Sequence, residues 1–212
     1  MIHESLLYLL THLDKYYQAV ITHITISFIA VVVSLLIAIP LGIICAKSSR
    51  VSHLIINAFN VLRIIPSLAV LILAMPILGT GFVPALLALT LLAIPPILIN
   101  TYLGFKNISP AVIECAEGMG MDGRKILLRV EIPLAMPLML TGLRTSTIEV
   151  IASATLASYI GAGGLGDFIF TGLGLNDLRI LLIGGVSVAL LAMITEIALA
   201  VVQHSVTKYQ RD

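Results

Sequence analysis

In this chain of 212 residues, 59% are hydrophobic and only 11% charged, with a mean hydropathy of +1.10. A water-facing surface needs about 25% charged residues, so a soluble domain is excluded, and long unbroken apolar runs rather than alternating ten-residue strands exclude an outer-membrane barrel. A formal net charge of +1 gives no bulk attraction to nucleic acid, and the fold class expected is an all-α integral membrane protein. The two cysteines, Cys45 and Cys115, have no CxxC or Cys/His spacing around them, which argues against a metal site. Facing the cytoplasm, they would stay reduced thiols.

The N-terminal "MIHESLLYLLTHLDKYY" lacks a basic leader, since its first lysine is Lys15, after the apolar positions. Ile2, Leu6, Leu9, Leu10, Leu13 and Tyr17 recur at helical spacing, with Glu4, Asp14 and Lys15 opposite. Residues 1–18 therefore read as an external helix lying in the membrane interface. Five later segments have the roughly 20 apolar residues a spanning helix needs: 22–46, 54–78, 85–105, 134–160 and 180–203. The membrane core is thus 22–160 and 180–203 within one domain, 1–212, with no dividing linker and no internal repeat.

Lys47, Arg50, Lys106, Arg124, Lys125, Arg129, Lys208 and Arg211 fall at one side of these spans, against Lys15 and Arg179 at the other. The positive-inside rule then places the N-terminus outside and the C-terminus in the cytoplasm. Five spans require termini on opposite sides, and the two readings agree.

The polar insert "ECAEGMGMDGRKILLRVEIP", Glu114 to Pro133, lies on the cytoplasmic side. Ser109 is placed to cap a helix with Pro110 at its first position. Val112, Ile113, Ala116 and Met119 form its apolar stripe, and Gly118 and Gly120 stop it. Asp122 is placed to cap a second short helix bearing Arg124, Lys125 and Arg129, which Pro133 ends before the fourth span. Two short helices joined by glycines make a compact knob, and exposed methionines suit an adaptable interface. The residues alone leave two readings open: a docking device, or a solvated loop that satisfies the positive-inside rule.

The spacing Glu114-x-Ala116, then Gly120, then Val130-x-Ile132-Pro133 resembles the "EAA" loop of ABC-importer permeases, EAA-x3-G-x9-I-x-LP. Cys115, Val130 and Ile132 depart from it conservatively. "RIIPSLAVLILAMPILGTGFVPALLALTLLAIPPILINTYLG", "EGMGMDG" and "ASATLASYIGAGGLGDFIFTGL" extend the likeness over nearly the whole chain, toward permeases of glycine betaine, carnitine and choline importers. The resemblance implies a type I importer fold like that of the methionine permeases, paired with a second permease, identical or homologous. It also implies two cytoplasmic ATP-binding subunits and an external substrate-binding protein, in a bacterial inner membrane. By the same likeness the coupling residues are Glu114, Cys115, Ala116, Gly118, Gly120, Asp122, Gly123, Arg124, Val130, Ile132 and Pro133. ATP and its magnesium would sit on the partner ATPase, leaving no cofactor and no catalysis on this chain. The rival readings are an amino-acid permease, such as one for methionine, a self-sufficient carrier, and a non-transporting scaffold. A carrier usually shows paired repeats.

Pro40, Pro66, Pro76, Pro95 and Pro96 interrupt apolar runs, and Pro95-Pro96 is the strongest sequence candidate for a bent, pathway-lining element, with an ordinary packing kink as the alternative. Arg63, Arg144, Glu149 and Glu196 lie inside spans, where an unpaired charge is costly. Arg63 and Arg144 fall at similar depth with Glu149 slightly further out, so Glu149 is expected to pair with one of them. The alternative is that Glu149 attracts a passing quaternary ammonium. Aromatic residues that would cage such a cation are thin, chiefly Phe28, Phe59, Tyr102 and Tyr159. Ala154/Ser158 and Ala157/Gly161 form small-xxx-small pairs, read as the face toward a partner permease, with an intrachain contact as the alternative. "GAGGLG", 161–166, follows a membrane helix rather than a strand and reads as an external turn before a short re-entrant or surface helix, not a dinucleotide site. No GxxxxGK[ST] motif occurs, and His3-Glu4 lacks the second histidine of HExxH.

Overall fold

The computed structural model describes residues 2–208, apart from the side chains of 2, 3, 49 and 51. Of the residues read above, Arg211 and the side chains of Ile2 and His3 lie outside the described residues. The described residues are helical throughout. In chain order the α-helices are α1 (Ile2–Thr11), α2 (Leu13–Lys47), α3 (Ser49–Leu62), α4 (Ser67–Leu78), α5 (Phe82–Lys106), α6 (Pro110–Gly118), α7 (Gly123–Ile126), α8 (Ile132–Ala157), α9 (Gly166–Leu175) and α10 (Leu178–Thr207). α2, α5, α8 with its flanking turns, and α10 are each long and apolar enough to cross a membrane, and α3 with α4 is apolar enough together for a fifth but is broken by a 94° bend.

The expected second span, 54–78, is therefore not one helix. Pro66 biases Ile65 away from helical backbone and cannot return an N–H to Leu62, so helix stops at Leu62 and restarts at Ser67. Arg63, expected within the span, sits at this corner. By contrast, α5 runs unbroken through Pro95-Pro96, both of them fully buried. Neighbouring groups there take up backbone carbonyls: Ser146 Oγ donates to Ala93 O at 3.0 Å, and Asn100 Nδ2 to Pro96 O at 2.8 Å.

The proposed interfacial helix 1–18 is also shorter than the sequence suggests. No proline or glycine interrupts residues 13–39, so the helix of the first span already begins at Leu13 and only α1 stands apart. The chain turns at His12 (φ −128°), whose ring stacks on Tyr8 at 4.2 Å. Tyr8 and Leu9 pack on the cluster of Ala19, Phe168, Ile180 and Ile183, and α1 is held against α10 and the start of α2, while Leu6, Leu10, Leu13 and Tyr17 remain exposed. At the start of α10, Asp177 accepts from the Arg179 backbone and guanidinium. That contact holds its carboxyl down to about 2.

α5 is the centre of the bundle, between α2 and α8. Lipid tails give apolar helices little reason to associate, so close backbone approach must supply contact. Small residues provide it. A Cβ on Gly142 would lie 2.8 Å from Asn100 Cβ and Pro96 O, one on Gly42 would lie 2.7 Å from Thr101 Cβ, and one on Gly104 would lie 3.0 Å from Ala135 O. Ala30, Ala85, Ala88, Ala93, Ala154 and Ala157 fill the other end of the same seam with Ile26, Leu71, Leu89 and Val150. Ala154 and Ala157, the first members of the two small-xxx-small pairs read as partner-facing, are thus wholly buried inside this chain, while Ser158 is half-buried and Gly161 exposed. The small alanine side chains serve α8 against α2 and α5.

Filling the Gly142 gap should part α5 from α8. Gly142→Leu is expected to destabilise the purified protein by about 1–3 kcal/mol, the usual range for overpacking, lowering its thermal unfolding midpoint in detergent. Gly185→Ala, whose Cβ would enter open space, should leave that midpoint unchanged.

Candidate functional site

The polar insert forms a rigid elbow. α6 begins at Pro110, with Ser109 at the cap position, but the Ser109 hydroxyl makes no cap hydrogen bond, contrary to the sequence reading. Pro110 removes one N–H that would need a partner, and the Val112 N–H is taken by Ser109 O at 3.0 Å. At the other end Gly120 adopts φ +77°, donating to Glu117 O at 2.8 Å, while Met121 N donates to Ala116 O at 3.1 Å. This is the paired closure of a Schellman turn, in which a left-handed residue is required and glycine carries no Cβ penalty. No atom lies within 4 Å of a Cβ built on Gly120, so its role is conformational.

Asp122 caps α7 by accepting from Lys125 N at 2.8 Å. Helix does not stop at Pro133, as the sequence suggested. A π-helical turn, Leu127–Glu131, joins α7 to α8, and Pro133 enters the first turn of α8. Proline lacks the N–H for a regular ladder but is tolerated in a helix's first turn, and the wider π-turn changes register just before it. The elbow is consequently continuous with the fourth spanning helix.

Of the expected stripe, Ala116 is buried, Ile113 half-buried, and Val112 and Met119 exposed; Ile126 of α7 is buried as well. Glu114, Cys115, Gly118, Gly120, Asp122, Gly123, Arg124 and Pro133 are exposed, with Val130 and Ile132 half-buried. The elbow thus presents most of the motif residues outward on a fixed frame. Glu131 meets Lys47 at 3.1 Å, tying the frame to the end of α2. That tie escaped the sequence reading, although counting positive charges by side already placed Lys47 at this end.

The four charges within the spans form two pairs. Arg63 at the α3–α4 corner lies 3.7 Å from Glu149 of α8, with the two side chains 46% and 45% exposed. Arg144 of α8 binds Glu196 of α10 through two nitrogens, and its third contact is Gln203. Gln203 Nε2 in turn donates to Pro137 O at 3.1 Å and Thr141 Oγ1 at 2.9 Å. The Arg144 cluster therefore staples α8 to α10, whereas the Arg63 pair is a single, longer contact. The aromatic residues thought available for a cage are scattered: Phe28 and Tyr159 are largely exposed, and Phe59 packs beside Leu98 and Ile97.

His23 was missed. It is fully buried in α2, and its Nε2–H donates to Ile151 O at 3.0 Å. Gly164 of the "GAGGLG" turn comes close to its ring, and a Cβ on Gly166 would lie 2.0 Å from Thr155 O. Those glycines let the turn fold onto α2 and α8 before the short helix α9. A lone histidine in "ITHITIS" was the available signal.

The family model of binding-protein-dependent transport system inner membrane components matches residues 38–208. The chain belongs to this family of transport permeases. It is 44% identical over 185 residues to the glycine betaine/carnitine/choline transport system permease protein OpuCB of Bacillus subtilis, which covers 87% of this chain and 85% of that one. The choline transport system permease protein OpuBB of the same organism and the carnitine transport permease protein OpuCB of Listeria monocytogenes are each 43% identical with the same coverage. Among solved structures, an inward-facing form of the MetNI methionine ABC transporter matches with a TM-score of 0.80 at 22% identity, covering 92% of this chain and 97% of that one. An amino acid ABC transporter crystallised with histidines gives 0.78 at 17% identity over 94% and 97%. Both show the shared fold, and the chain is a multi-pass membrane permease of the type I importer class.

The Arg144–Glu196 staple can be measured. Glu196→Leu strands Arg144 at membrane depth and is expected to lower the thermal stability of the purified permease by several degrees. Removing both charges, Arg144→Leu with Glu196→Leu, should restore most of it, because neither desolvated charge remains.

Proposed function

We propose that this chain is the membrane-spanning subunit of an ATP-driven, binding-protein-dependent importer of quaternary-ammonium osmoprotectants: glycine betaine, carnitine or choline. The solute class rests on the relatives at 43–44% identity, whose names specify those compounds. The methionine and amino-acid transporters share the fold at much lower identity, and so support the architecture rather than that substrate. In this reading two permeases, identical or homologous, pack together in a bacterial inner membrane. An external binding protein delivers the solute, and two cytoplasmic subunits bind and hydrolyse ATP with its magnesium. This chain carries no cofactor and no catalytic group.

One observation carries the coupling role: the elbow at 110–133 is an exposed, capped unit whose helix continues directly into α8. The N-terminus lies outside and the C-terminus in the cytoplasm, following the positive charges that gather at the elbow's end of the spans. Closure of the ATP-binding subunits pushes on Glu114, Cys115 and the neighbouring exposed face of α6. The push passes through α7 and the π-turn into α8 and swings the spans between inward- and outward-facing arrangements, a two-state domain motion. Because Gly120 holds α6 at its angle to α7, the force is delivered in a defined direction.

Glu114→Lys and Gly120→Pro are expected to reduce ATP-driven glycine betaine uptake in proteoliposomes to the level seen without the ATPase, with normal membrane abundance. Asp122→Ala, which removes a cap contributing about 1 kcal/mol, should give a partial loss. Full uptake by the first two variants at normal abundance would exclude the elbow as the coupling element.

A further inference from the structure

The Arg63–Glu149 pair borders a cavity of about 260 Å³ at the α3–α4 corner, whose walls include Ile65, Ser67, Pro95 and Ser153. Its one contact, 3.7 Å from Nη2 to Oε1, is too long for a good hydrogen bond, whereas Arg144 engages Glu196 through two nitrogens and Gln203 as well. Ile64, beside Arg63, is 78% exposed and Leu73 of α4 is 67% exposed, so the pair sits in an apolar stretch. Charges at this depth are tolerated where they face a water-filled cavity or a polar guest.

We propose that this cavity is a transient solute site, in which Glu149 takes a quaternary ammonium and Arg63 takes the carboxylate of the same small zwitterion. The inference rests on the reading of the solute as a betaine-type osmoprotectant and adds where it is held and which member of the class is preferred. A zwitterion enters without changing the net charge of the cavity, and it replaces one loose contact by two. Arginine presents a planar fork that matches a carboxylate with two parallel hydrogen bonds. The volume is below the range of about 300–1,000 Å³ common for drug-sized ligands, in keeping with a smaller solute. No aromatic residue is among the described residues that line the cavity. The guest is therefore held by charge without a cation–π cage, which favours release over tight retention. Choline has the ammonium but no carboxylate; it would occupy Glu149 and leave Arg63 without a counter-charge. Pro95, from the Pro-Pro step of α5, supplies a rigid wall behind the pair.

The test uses the permease assembled with its ATPase and Ser153→Cys as a reporter, labelled with a water-soluble maleimide above the background of Cys45 and Cys115. The reporter is expected to label, and labelling should slow about tenfold when glycine betaine exceeds its dissociation constant about tenfold, leaving roughly a tenth of the sites free. Choline at the same concentration should protect less, and Glu149→Gln in the reporter background should abolish protection. Ser67→Cys, on another wall, provides the same readout if Ser153→Cys does not assemble. A reporter that never labels, or one that glycine betaine never protects, overturns the site. Equal protection by choline and glycine betaine overturns the role of Arg63. ATP-driven uptake by the parent complex separates the two levels: uptake of glycine betaine without protection removes this site alone, whereas no uptake of any quaternary-ammonium solute removes the functional reading as well.

Discussion

The bundle depends on how closely α5 is approached by α2 and α8. In a bilayer, sequestering apolar side chains yields little, because lipid tails are as apolar as leucine. Backbones must therefore come within van der Waals reach, and Gly42, Gly104 and Gly142 open the space. Pro95-Pro96 lies fully buried in that seam and α5 runs on through it, while Ser146 and Asn100 donate to Ala93 O and Pro96 O nearby. At the exposed Pro66 helix stops and the chain turns through a right angle, whereas α4 runs on through the exposed Pro76.

The tight interior contrasts with the faces around it. α4 buries only Leu71, and α10 buries only residues near its start, which leaves long apolar surfaces for lipid or a second permease. Charge follows the same division. Arg144, Glu196 and Gln203 are satisfied within the chain, joining two spans. Arg63 and Glu149 stand at a corner beside open volume, loosely matched. A permease needs both kinds of region: packed rods that transmit displacement, and sparsely bonded surfaces that exchange partners at low cost.

Much of this was readable from residues. Composition and run length gave the all-α membrane class and the spans, Gly120 and Asp122 gave the elbow's bend and cap, and depth along the helices suggested a partner for Glu149. The failures have a common origin: local signals do not report what surrounds a residue. Proline alone does not mark a break: helix runs on through Pro76 and through Pro95-Pro96 but stops before Pro66, so Pro95-Pro96 drew attention that belonged to Pro66. Pro133 reads as a helix end, but the π-turn before it passes helix through. Ala154 and Ala157 signal close approach without saying to whom. The first span ran out to Leu13 because nothing in its sequence stops a helix where the apolar run thins.

From Gly123 through the π-turn to Ile160 the helix runs 38 residues, about 57 Å at the usual rise. Gly142, whose bare Cα brings α8 against α5, lies almost midway. Tilted as one body about that point by about five degrees, a rod of that length would carry its ends about 2 to 3 Å in opposite directions. Such a tilt would return a small displacement at the elbow, reversed, at the glycine turn that rests on His23.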